Sequence, residues 1–327
     1  MPRDDQSAFA QSVEPLRPAI RLHCYRMLGS SHDGDDVVQE TLLRAWRAKD
    51  SLEDPALLKP WLYRIATNVC FDELKRRPKR AYPTDAFPPT ADAKPPLPRI
   101  DEPVWLEPMP NTWLEGVDER DPQASYDLKE SVALAFVAAL QCLSPVQRAT
   151  LLLRDVVGLS ASETANALGG SVDGANSALF RARSALSDRL GGDAPLDIAA
   201  QSEVDEGVLE RYVRAFEEAD LDALVALFHD EMRTTMPPAP TWVSGRSANE
   251  QFYRKMFGTL VAGQFRHLRI GANGKPALAF YRPAAPGDVH QLAAIQLVTT
   301  RAGAVFAVDH FMLAEVYPLF GVPRELT

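Results

Sequence analysis

Hydrophobic residues in the first 80 positions recur at the 3.6-residue spacing of amphipathic α-helices. Three helices are predicted: the first ends at Gly29, the second follows residues 31–33, and the third begins at Pro60, where a proline costs no hydrogen bond. Residues 8–80 therefore form an all-α domain. Its inward positions are Phe9, Val13, Leu16, Ile20, Cys24 and Met27 in the first helix, Val38, Thr41, Leu42 and Ala45 in the second, and Leu62, Ile65, Ala66 and Val69 in the third.

The outward faces of the second and third helices differ in charge. The second helix presents Asp36, Gln39, Glu40 and Leu43, which pair carboxylates with an apolar side chain, as a partner-binding surface does. A plain solvated face has the same composition. The third helix presents Arg64 and Asn68 and ends in a basic cluster, which suits DNA because cations neutralise phosphates and polar groups reach base edges. The alternative is a surface helix whose cations interact with the helix dipole. The cluster consists of Lys75, Arg76, Arg77, Lys79 and Arg80.

The composition of residues 81–123 predicts a proline-rich, acidic linker, because prolines at this density prevent a continuous helix or sheet. Within the linker, residues 104–114 (VWLEPMPNTWL) are unusually apolar and contain two tryptophans. We expect this piece to dock on a neighbouring domain.

A second all-α domain is predicted over residues 124–192. Ser144 and Ser160 each precede a glutamine or glutamate by three residues, which is the pattern of a capping box at a helix start. After Gly169, Ser171 begins a longer helix with Val172, Ala175, Leu179, Ala182 and Leu186 facing inward. A short helix, a glycine turn and a longer helix with two arginines form a helix-turn-helix pattern, although generic helical hairpins share it.

The C-terminal block, residues 205–316, changes class. Helices are predicted over residues 206–219, 222–228 and 249–260. Strand-like runs follow at residues 264–270, 277–282, 289–300 and 305–316, and a hairpin at residues 301–303 joins the last two. This order predicts an α+β domain. The apolar tail, residues 317–327, is expected to contact the helical domains.

Composition narrows these interpretations. A length of 327 residues predicts two or three domains. The net charge of −9 argues against a protein that coats DNA through bulk positive charge. Cys24, Cys70 and Cys142 lack metal-ligand spacing and are expected to be buried thiols, so no metal or cofactor is predicted. No signal sequence or membrane span is recognised, so we expect a cytoplasmic protein.

The motifs resemble a known family. HCYRMLGSSHDGDDVVQETLLRAWRA followed by PWLYRIATNVCFDELKRRP resembles region 2 of sigma-70 factors of the extracytoplasmic-function (ECF) group. LSPVQRATLLLRDVVGLSASETANALGGSVDGANSALFRARSAL resembles region 4 of that group. LERYVRAFEEADLDALVALFHDEMRTTMPPAPTWVSGR resembles SnoaL-like domains of the nuclear transport factor 2-like superfamily. The implied protein has two all-α domains and a C-terminal α+β, cone-shaped domain.

The resemblance implies core RNA polymerase and promoter DNA as partners, with contacts to the β′ clamp helices and the β flap. The implied polymerase-binding residues are Asp35, Asp36, Gln39, Glu40, Leu43 and Trp46. The implied −10 element residues are Arg64, Asn68, Lys75, Arg76, Arg77, Lys79 and Arg80, and the −35 element residues are Ser171, Asn176, Ser177, Arg181 and Arg183. Gly174 departs from the family pattern, because a larger polar residue is usual in the first turn of this helix.

For the C-terminal domain, the resemblance implies regulation of sigma activity in cis. Its interior residues line either a ligand pocket, for a small molecule that the sequence does not identify, or simply the core. They are Met236, Trp242, Phe252, Phe280, Asp309 and His310. Two alternatives stay open: an isomerase- or hydrolase-type enzyme fused to a sigma factor, and a ligand-sensing helix-turn-helix regulator. No catalysis and no membrane association are expected.

Overall fold

A computed structural model describes residues 9–77, 80–90, 93, 97–100, 104–117, 122–190, 204–257, 261–285 and 287–326. The chain divides into two compact units. The helical unit comprises Met1–Arg80 and Thr112–Leu196, and the sheet unit comprises Ala81–Asn111 and Asp197–Thr327. Most of the predicted linker therefore belongs with the C-terminal domain. Among the described residues, no helix combines the length and the apolar character that a membrane span needs.

The first half of the helical unit contains the three predicted helices. They are α1 (Arg17–Leu28), α2 (Ser31–Arg47) and α3 (Leu58–Arg76), with 3-10 turns at Glu14–Leu16, Lys49–Ser51 and Pro55–Leu57. Gly29 ends α1 in the left-handed conformation, and the Ser30 hydroxyl caps α2 by accepting a hydrogen bond from the Asp33 amide at 2.9 Å. The α3 helix begins two residues before Pro60, because it continues directly from the third 3-10 turn.

The second half contains the predicted helix-turn-helix. Its helices are α4 (Pro122–Val132), α5 (Leu134–Leu140), α6 (Pro145–Leu151), α7 (Ala161–Leu168) and α8 (Val172–Leu190), with a π-helical turn at Leu152–Val156. Both predicted capping boxes are confirmed: Ser144 pairs with Gln147, and Ser160 pairs with Glu163. Gly169 ends α7 with φ of 67°, and this turn leads into α8.

Buried arginines join the two halves of the helical unit. The Arg148 guanidinium donates to the carbonyl of Met27 and, at 2.7 Å, to the side chain of Gln141. Arg26 donates to the carbonyl of Ser131 at 2.9 Å. Burial lowers the pKa of each of these arginines to about 10, so both stay charged at neutral pH. Because a buried cation without partners is costly, these hydrogen bonds specify how the halves pack.

The sheet unit is an α+β domain, as predicted. Its helices are α9 (Glu206–Glu217), α10 (Leu221–Ala226) and α11 (Arg246–Phe257). Its strands are β1 (Phe228–Thr235), β2 (Trp242–Ser244), β3 (Arg266–Ala272), β4 (Lys275–Arg282), β5 (His290–Arg301), β6 (Ala304–Phe311) and β7 (Glu325–Leu326). They form one sheet in the order β2-β1-β6-β5-β4-β3, with β7 added beside β5. The β1–β6 pair is parallel, and the other pairs are antiparallel.

Strands β1 and β2 were not predicted, and residues 222–228 were wrongly extended as helix to Phe228. That residue begins β1 instead. The β1 strand contains a run of polar residues and lacks a simple alternation, so its pattern resembles a continuing helix face. The predicted β5–β6 hairpin is confirmed, with Ala302 and Gly303 both at positive φ.

The two faces of the sheet have different partners. The inner face packs on α9–α11, and its core includes Leu278, Phe280 and Val308. Alternate residues on the same strands, such as Ala279, Leu297 and Asp309, point to the outer face. Both sets are buried.

The linker packs along the sheet unit. Tyr82 lies on the outer face, where its hydroxyl donates to Asp309. Farther along, the Thr90 amide donates to the Trp242 carbonyl at 2.8 Å, and Ala93 joins the inner core. The predicted docking segment, residues 104–114, is divided between the two units. Met109 is fully buried in the sheet unit, whereas Trp113 packs against Tyr25 in the helical unit.

The tail packs on its own sheet: β7 pairs with β5, and the Tyr317 hydroxyl donates to the Ala293 carbonyl at 2.6 Å. Its expected contact with the helical domains stays a prediction. One prediction about the cysteines needs correction. Cys24 and Cys70 are buried as predicted, whereas Cys142 is exposed because it follows the last turn of α5.

Candidate polymerase and nucleic-acid interface

The acidic stripe on α2 is a solvent-facing surface with one prominent apolar side chain. Asp36 and Gln39 are exposed, Glu40 is partly exposed, and Leu43 is 52% exposed. On the opposite side Val38, Thr41 and Ala45 are buried, as predicted, whereas Leu42 is only half-buried. An exposed leucine flanked by acidic and amide groups offers a partner both apolar and charged contacts.

The ends of this stripe are held in place. Asp35 pairs with Arg21 at 3.2 Å, and Glu40 pairs with Arg44 at 2.7 Å. Trp46 is half-buried, with the ring of Phe9 at 5.7 Å between centroids and the Lys49 ammonium 4.9 Å from its ring. Among the predicted residues, Asp35 and Trp46 are therefore more engaged within the helical unit than Asp36, Gln39 and Leu43.

The α3 helix presents its predicted polar residues to solvent. Arg64 and Asn68, one turn apart, are both exposed, whereas Leu62, Ala66 and Val69 are buried. Trp61 is half-buried, and its indole nitrogen lies 3.4 Å from the Ser51 hydroxyl.

The basic cluster at the end of α3 separates into two groups. The side chains of Lys75 and Arg76 are 77% and 74% exposed, and their nearest carboxylates, on Asp72 and Glu73, lie 3.7 and 3.9 Å away. Exposed pairs of this kind are worth little, so both cations remain available to a phosphate. A groove between α2 and α3 is lined by Asp36, Glu40, Arg44, Asp72, Arg76 and Arg77, so the acidic stripe and the basic cluster border the same depression.

The second group is structural. Arg80 is only 8% exposed, and its guanidinium pairs with the buried carboxylate of Asp33 at the start of α2. Arg77 also binds Asp33, and it binds Glu73, each at 2.6 Å. The assignment of Arg80 to DNA phosphates is therefore corrected: this cation neutralises a buried carboxylate. Lys79 lies outside the described residues.

The helix-turn-helix exposes most of the residues predicted for it. Ser171, Asn176, Ser177 and Arg181 are exposed on α8, whereas Ala175, Leu179, Ala182 and Leu186 are buried. Val172 was predicted to face inward but is 42% exposed, because it lies in the first turn, before the helix packs. The Ser171 hydroxyl accepts a hydrogen bond from the Gly174 amide at 3.1 Å, and a Cβ at Gly174 would lie 3.1 Å from this oxygen. Gly174 therefore leaves room for the cap.

Two arginines of α8 differ in availability. Arg183 forms two hydrogen bonds with the Asp155 carboxylate, at 2.7 and 2.9 Å, and this pairing raises the pKa of Arg183. Arg181 is exposed. Phe180, which the sequence interpretation missed, is 75% exposed and shares a face with Asn176 and Ser177. Phe180 follows Ser177 by three residues and Asn176 by four, and this helical spacing was the signal that could have placed it on their face.

The interior of the sheet unit does not collect all six predicted pocket residues. Met236, Phe252, Phe280 and His310 are buried on the inner side, whereas Trp242 is half-buried and donates to the carbonyl of linker residue Phe87 at 2.8 Å. Asp309 is adjacent to His310 on β6, so the two side chains point to opposite faces. Asp309 accepts hydrogen bonds from Thr235, at 2.8 Å, and from Tyr82. The prediction that Asp309 lines the same pocket is wrong.

His310 belongs to a buried hydrogen-bond chain. One ring nitrogen lies 3.0 Å from the amide nitrogen of Gln296, and the other lies 3.4 Å from the Tyr253 hydroxyl. The Tyr253 hydroxyl in turn lies 3.5 Å from Thr234. Burial lowers the pKa of His310 to about 3, so the imidazole is neutral at neutral pH.

Comparison with known families places these features in context. Residues 13–80 match the model "Sigma-70 region 2", residues 133–186 match "Sigma-70, region 4", and residues 209–308 match "SnoaL-like domain". The chain is 41% identical over 326 residues to the ECF RNA polymerase sigma factor SigG of Mycobacterium tuberculosis, covering 99% of this chain and 87% of SigG. The chain belongs to the ECF RNA polymerase sigma factors.

A second sigma factor shares the whole architecture. SigJ of Mycobacterium tuberculosis is 27% identical over 316 residues, covering 90% of this chain and 88% of SigJ. The crystal structure of SigJ superposes with a TM-score of 0.60 at 23% identity, over 96% of this chain and 100% of SigJ, and this likeness supports the fold. The predicted fold class, the family and the order of the three domains are thereby confirmed.

The structural role of Arg80 can be tested by its effect on folding stability. We expect Arg80→Ala to lower the free energy of unfolding by about 3 kcal/mol, because it removes one partner of a buried carboxylate. Lys75→Ala, at an exposed position nearby, is the matched control and should change stability by less than about 0.5 kcal/mol. Urea denaturation measures both. Equal stability of the two variants would contradict the division of the basic cluster.

Proposed function

We propose that this sigma factor acts in the cytoplasm as the promoter-recognition subunit of RNA polymerase. Region 2 binds the β′ clamp helices and the −10 element, region 4 binds the −35 element and contacts the β flap, and the SnoaL-like domain modulates both in cis. The observation that carries this proposal is the presence, in one chain and in the family's order, of region 2 and region 4. The proposed function is binding, without covalent chemistry.

The acidic stripe supports the polymerase contact. Asp36, Gln39 and Leu43 are exposed on one face of α2, and this face is not needed for the core of the helical unit. A single exposed leucine is common on protein surfaces, so the support comes from its place beside exposed carboxylate and amide groups, where a partner gains apolar and polar contacts together.

Region 2 carries the groups that promoter opening requires. Arg64 and Asn68 can approach bases, while Lys75 and Arg76 can neutralise phosphates. Capturing an unpaired strand offsets the few kcal/mol lost when bases unstack. Arg77 contributes less to DNA than Lys75 and Arg76, because two carboxylates already pair with it.

Region 4 combines polar, cationic and apolar groups on the exposed face of α8. Asn176 and Arg181 suit base edges and phosphates in the major groove. Phe180 suits the C5-methyl group of thymine, because that methyl is the one apolar group that a base pair presents in the major groove. We assign Phe180 to this surface together with Ser171, Ser177 and Arg183.

The two candidate acid/base residues of the SnoaL-like domain, Asp309 and His310, are not placed for catalysis. Asp309 faces away from the interior and is occupied by two hydroxyl donors. His310 is buried, and its pKa of about 3 is far below the value that general acid/base catalysis at neutral pH favours. These observations favour a regulatory domain over a fused isomerase or hydrolase.

Run-off transcription with purified core polymerase tests the proposal. We expect the double variant Lys75→Ala/Arg76→Ala to reduce open-complex formation while leaving core binding unchanged, because these cations lie at the end of α3, whereas the proposed polymerase contacts lie on α2. Arg211→Ala/Arg214→Ala, which removes two exposed cations from the SnoaL-like domain, is the matched control. Permanganate footprinting measures opening, and fluorescence anisotropy measures core binding. Equal loss of both activities would refute the separation of the two surfaces.

Salt dependence separates the proposed roles of two neighbouring residues on α8. Arg181→Ala should weaken −35 binding and reduce the slope of log affinity against log salt by about 1, as expected for a lost phosphate contact. Phe180→Ala should weaken binding without changing this slope, because the lost contact is uncharged. Titrations of a −35 duplex at several salt concentrations measure both. An unchanged affinity of Phe180→Ala would remove this residue from the DNA-binding surface.

Modulation in cis predicts that removal of residues 205–327 alters transcription by the remaining chain. The comparison uses equal active concentrations, calibrated by core binding, so that folding losses are not mistaken for regulation. Identical transcription by the full and shortened chains would show that the SnoaL-like domain does not modulate transcription.

A further inference from the structure

Trp113 lies against α1, the first helix of region 2. Its side chain is buried, at 6% exposure. The ring of Tyr25 stands perpendicular to the indole, with 6.4 Å between the ring centroids. The Arg21 guanidinium lies over the indole, 5.0 Å from its centroid. One aromatic side chain therefore contacts two residues of α1 that are one helical turn apart.

The chain continues along α1 after Trp113. A Cβ at Gly116 would lie 3.8 Å from the side chain of Pro18, which precedes Arg21 by one turn. Residues 113–116 thus run from Tyr25 toward Pro18, in the direction opposite to α1. Gly116 has a φ of 75°, a backbone conformation that glycine adopts without strain. Contacts on both sides of the indole therefore hold it on this helix.

Arg21 and Tyr25 are also the residues through which α1 contacts the start of α2. The Arg21 Nε lies 3.2 Å from the Asp35 Oδ1. The Tyr25 backbone lies against Gly34, where a Cβ would come within 3.4 Å of the Tyr25 nitrogen. Gly34 and Asp35 are consecutive, and Asp35 is the first of the predicted polymerase-binding residues. The indole of Trp113 is therefore separated from that surface by one side chain.

The ion pair between Arg21 and Asp35 needs support from the indole. Among the described residues, none accepts a hydrogen bond from the buried Arg21 Nε, so the charges attract each other without an aligned hydrogen bond. The two side chains are 26% and 33% exposed, and partly hydrated pairs of this kind fix a side chain weakly. A guanidinium over an indole gains an attraction of at least similar size. The position of the guanidinium therefore depends on Trp113.

Asp35 keeps one side available to a partner. Arg21 approaches its Oδ1, and no other side chain in the described part of the protein forms an ion pair with this carboxylate. A basic group of a partner can therefore bind the second oxygen while Arg21 holds the first. A side chain that is fixed before binding loses less conformational entropy when the complex forms. The contacts of Arg21 thus prepare Asp35 for a basic partner.

We infer that Trp113 is a positioning residue of the polymerase-binding surface: it holds Arg21, and Arg21 holds Asp35 in the orientation that a basic group of the polymerase binds. This inference rests on the proposed function and deepens it, because it adds two residues outside α2 to those on which core binding depends. A tryptophan that served only the core of region 2 would stabilise the fold without any dependence on Asp35.

A double-mutant cycle in the full chain tests this dependence, with core affinity measured by fluorescence anisotropy at equal active concentrations. Trp113→Ala should weaken core binding about fivefold, the size expected for a lost cation–π contact. In an Asp35→Asn background the same change should alter the affinity by less than about twofold, because no charge remains to be positioned. Asp36→Asn is the matched control. It removes the neighbouring carboxylate, so Trp113→Ala should still weaken binding about fivefold in that background.

Two further variants separate positioning from folding. Trp113→Phe keeps an aromatic face beneath Arg21 and should restore most of the affinity. Arg21→Gln should weaken core binding about as much as Trp113→Ala, and the two changes together should cause no further loss. The melting temperature should fall equally on Trp113→Ala with Asp35 or with Asn at that position, because the packing against Tyr25 is lost in both cases.

Equal losses of affinity on Trp113→Ala in the native and Asp35→Asn backgrounds would overturn the inference, since the indole would then act through folding alone. A gain of affinity in Arg21→Gln would also overturn it, because Arg21 would then compete with the polymerase for Asp35. Failure of the proposed function looks different: Asp35→Asn and Asp36→Asn would then both leave core affinity unchanged.

Discussion

A charge that is buried away from water needs an opposite charge or a set of hydrogen-bond partners. This constraint divides the cations of the protein into structural ones and ones that are available to DNA. Arg80 forms an ion pair with Asp33, and Arg26 and Arg148 donate hydrogen bonds to backbone carbonyls. These contacts hold the helical unit together. Only the cations left outside such pairs can serve a phosphate. The protein can therefore carry a net charge of −9 and still present a local basic surface, because its acidic residues lie mostly elsewhere.

The same constraint links the two surfaces of region 2. Asp33 starts α2, which carries the acidic stripe, and its partners Arg77 and Arg80 follow α3, which carries the candidate DNA residues. Arg44 adds a second connection, since it binds both Glu40 and Asp72. These ion pairs fix the relative orientation of the two helices, so that a polymerase-facing surface and a DNA-facing surface are presented together.

Local signals were sufficient for much of the fold. Capping boxes at Ser144 and Ser160 and the turn at Gly169 depend on residues within a few positions of each other, and the sequence alone located them. The family resemblance located the three domains in order. Among the candidate site residues, Asp36, Gln39, Leu43, Asn68 and Arg181 are exposed, as a binding role requires.

The remaining features depend on contacts between residues far apart in the chain. In the sequence, Arg80 and Lys75 are members of the same basic cluster. Only the contact with Asp33, 47 positions away, gives Arg80 a structural role. Asp309 and His310 are neighbours in sequence, but their faces are decided by strand pairing with β1 and β5. The apolar residues 104–114 indicated a docking segment, but no signal indicated that residues 81–103 belong with the C-terminal domain, because prolines and acids are equally typical of a free spacer.

The contacts of the linker within the sheet unit have an evolutionary consequence. Tyr82 donates to Asp309, and Ala93 joins the inner core, so an insertion or deletion between these two residues would displace at least one of them. A free spacer between domains can drift in length, because no contact depends on its spacing. This connector has the composition of such a spacer, but its length is under selection.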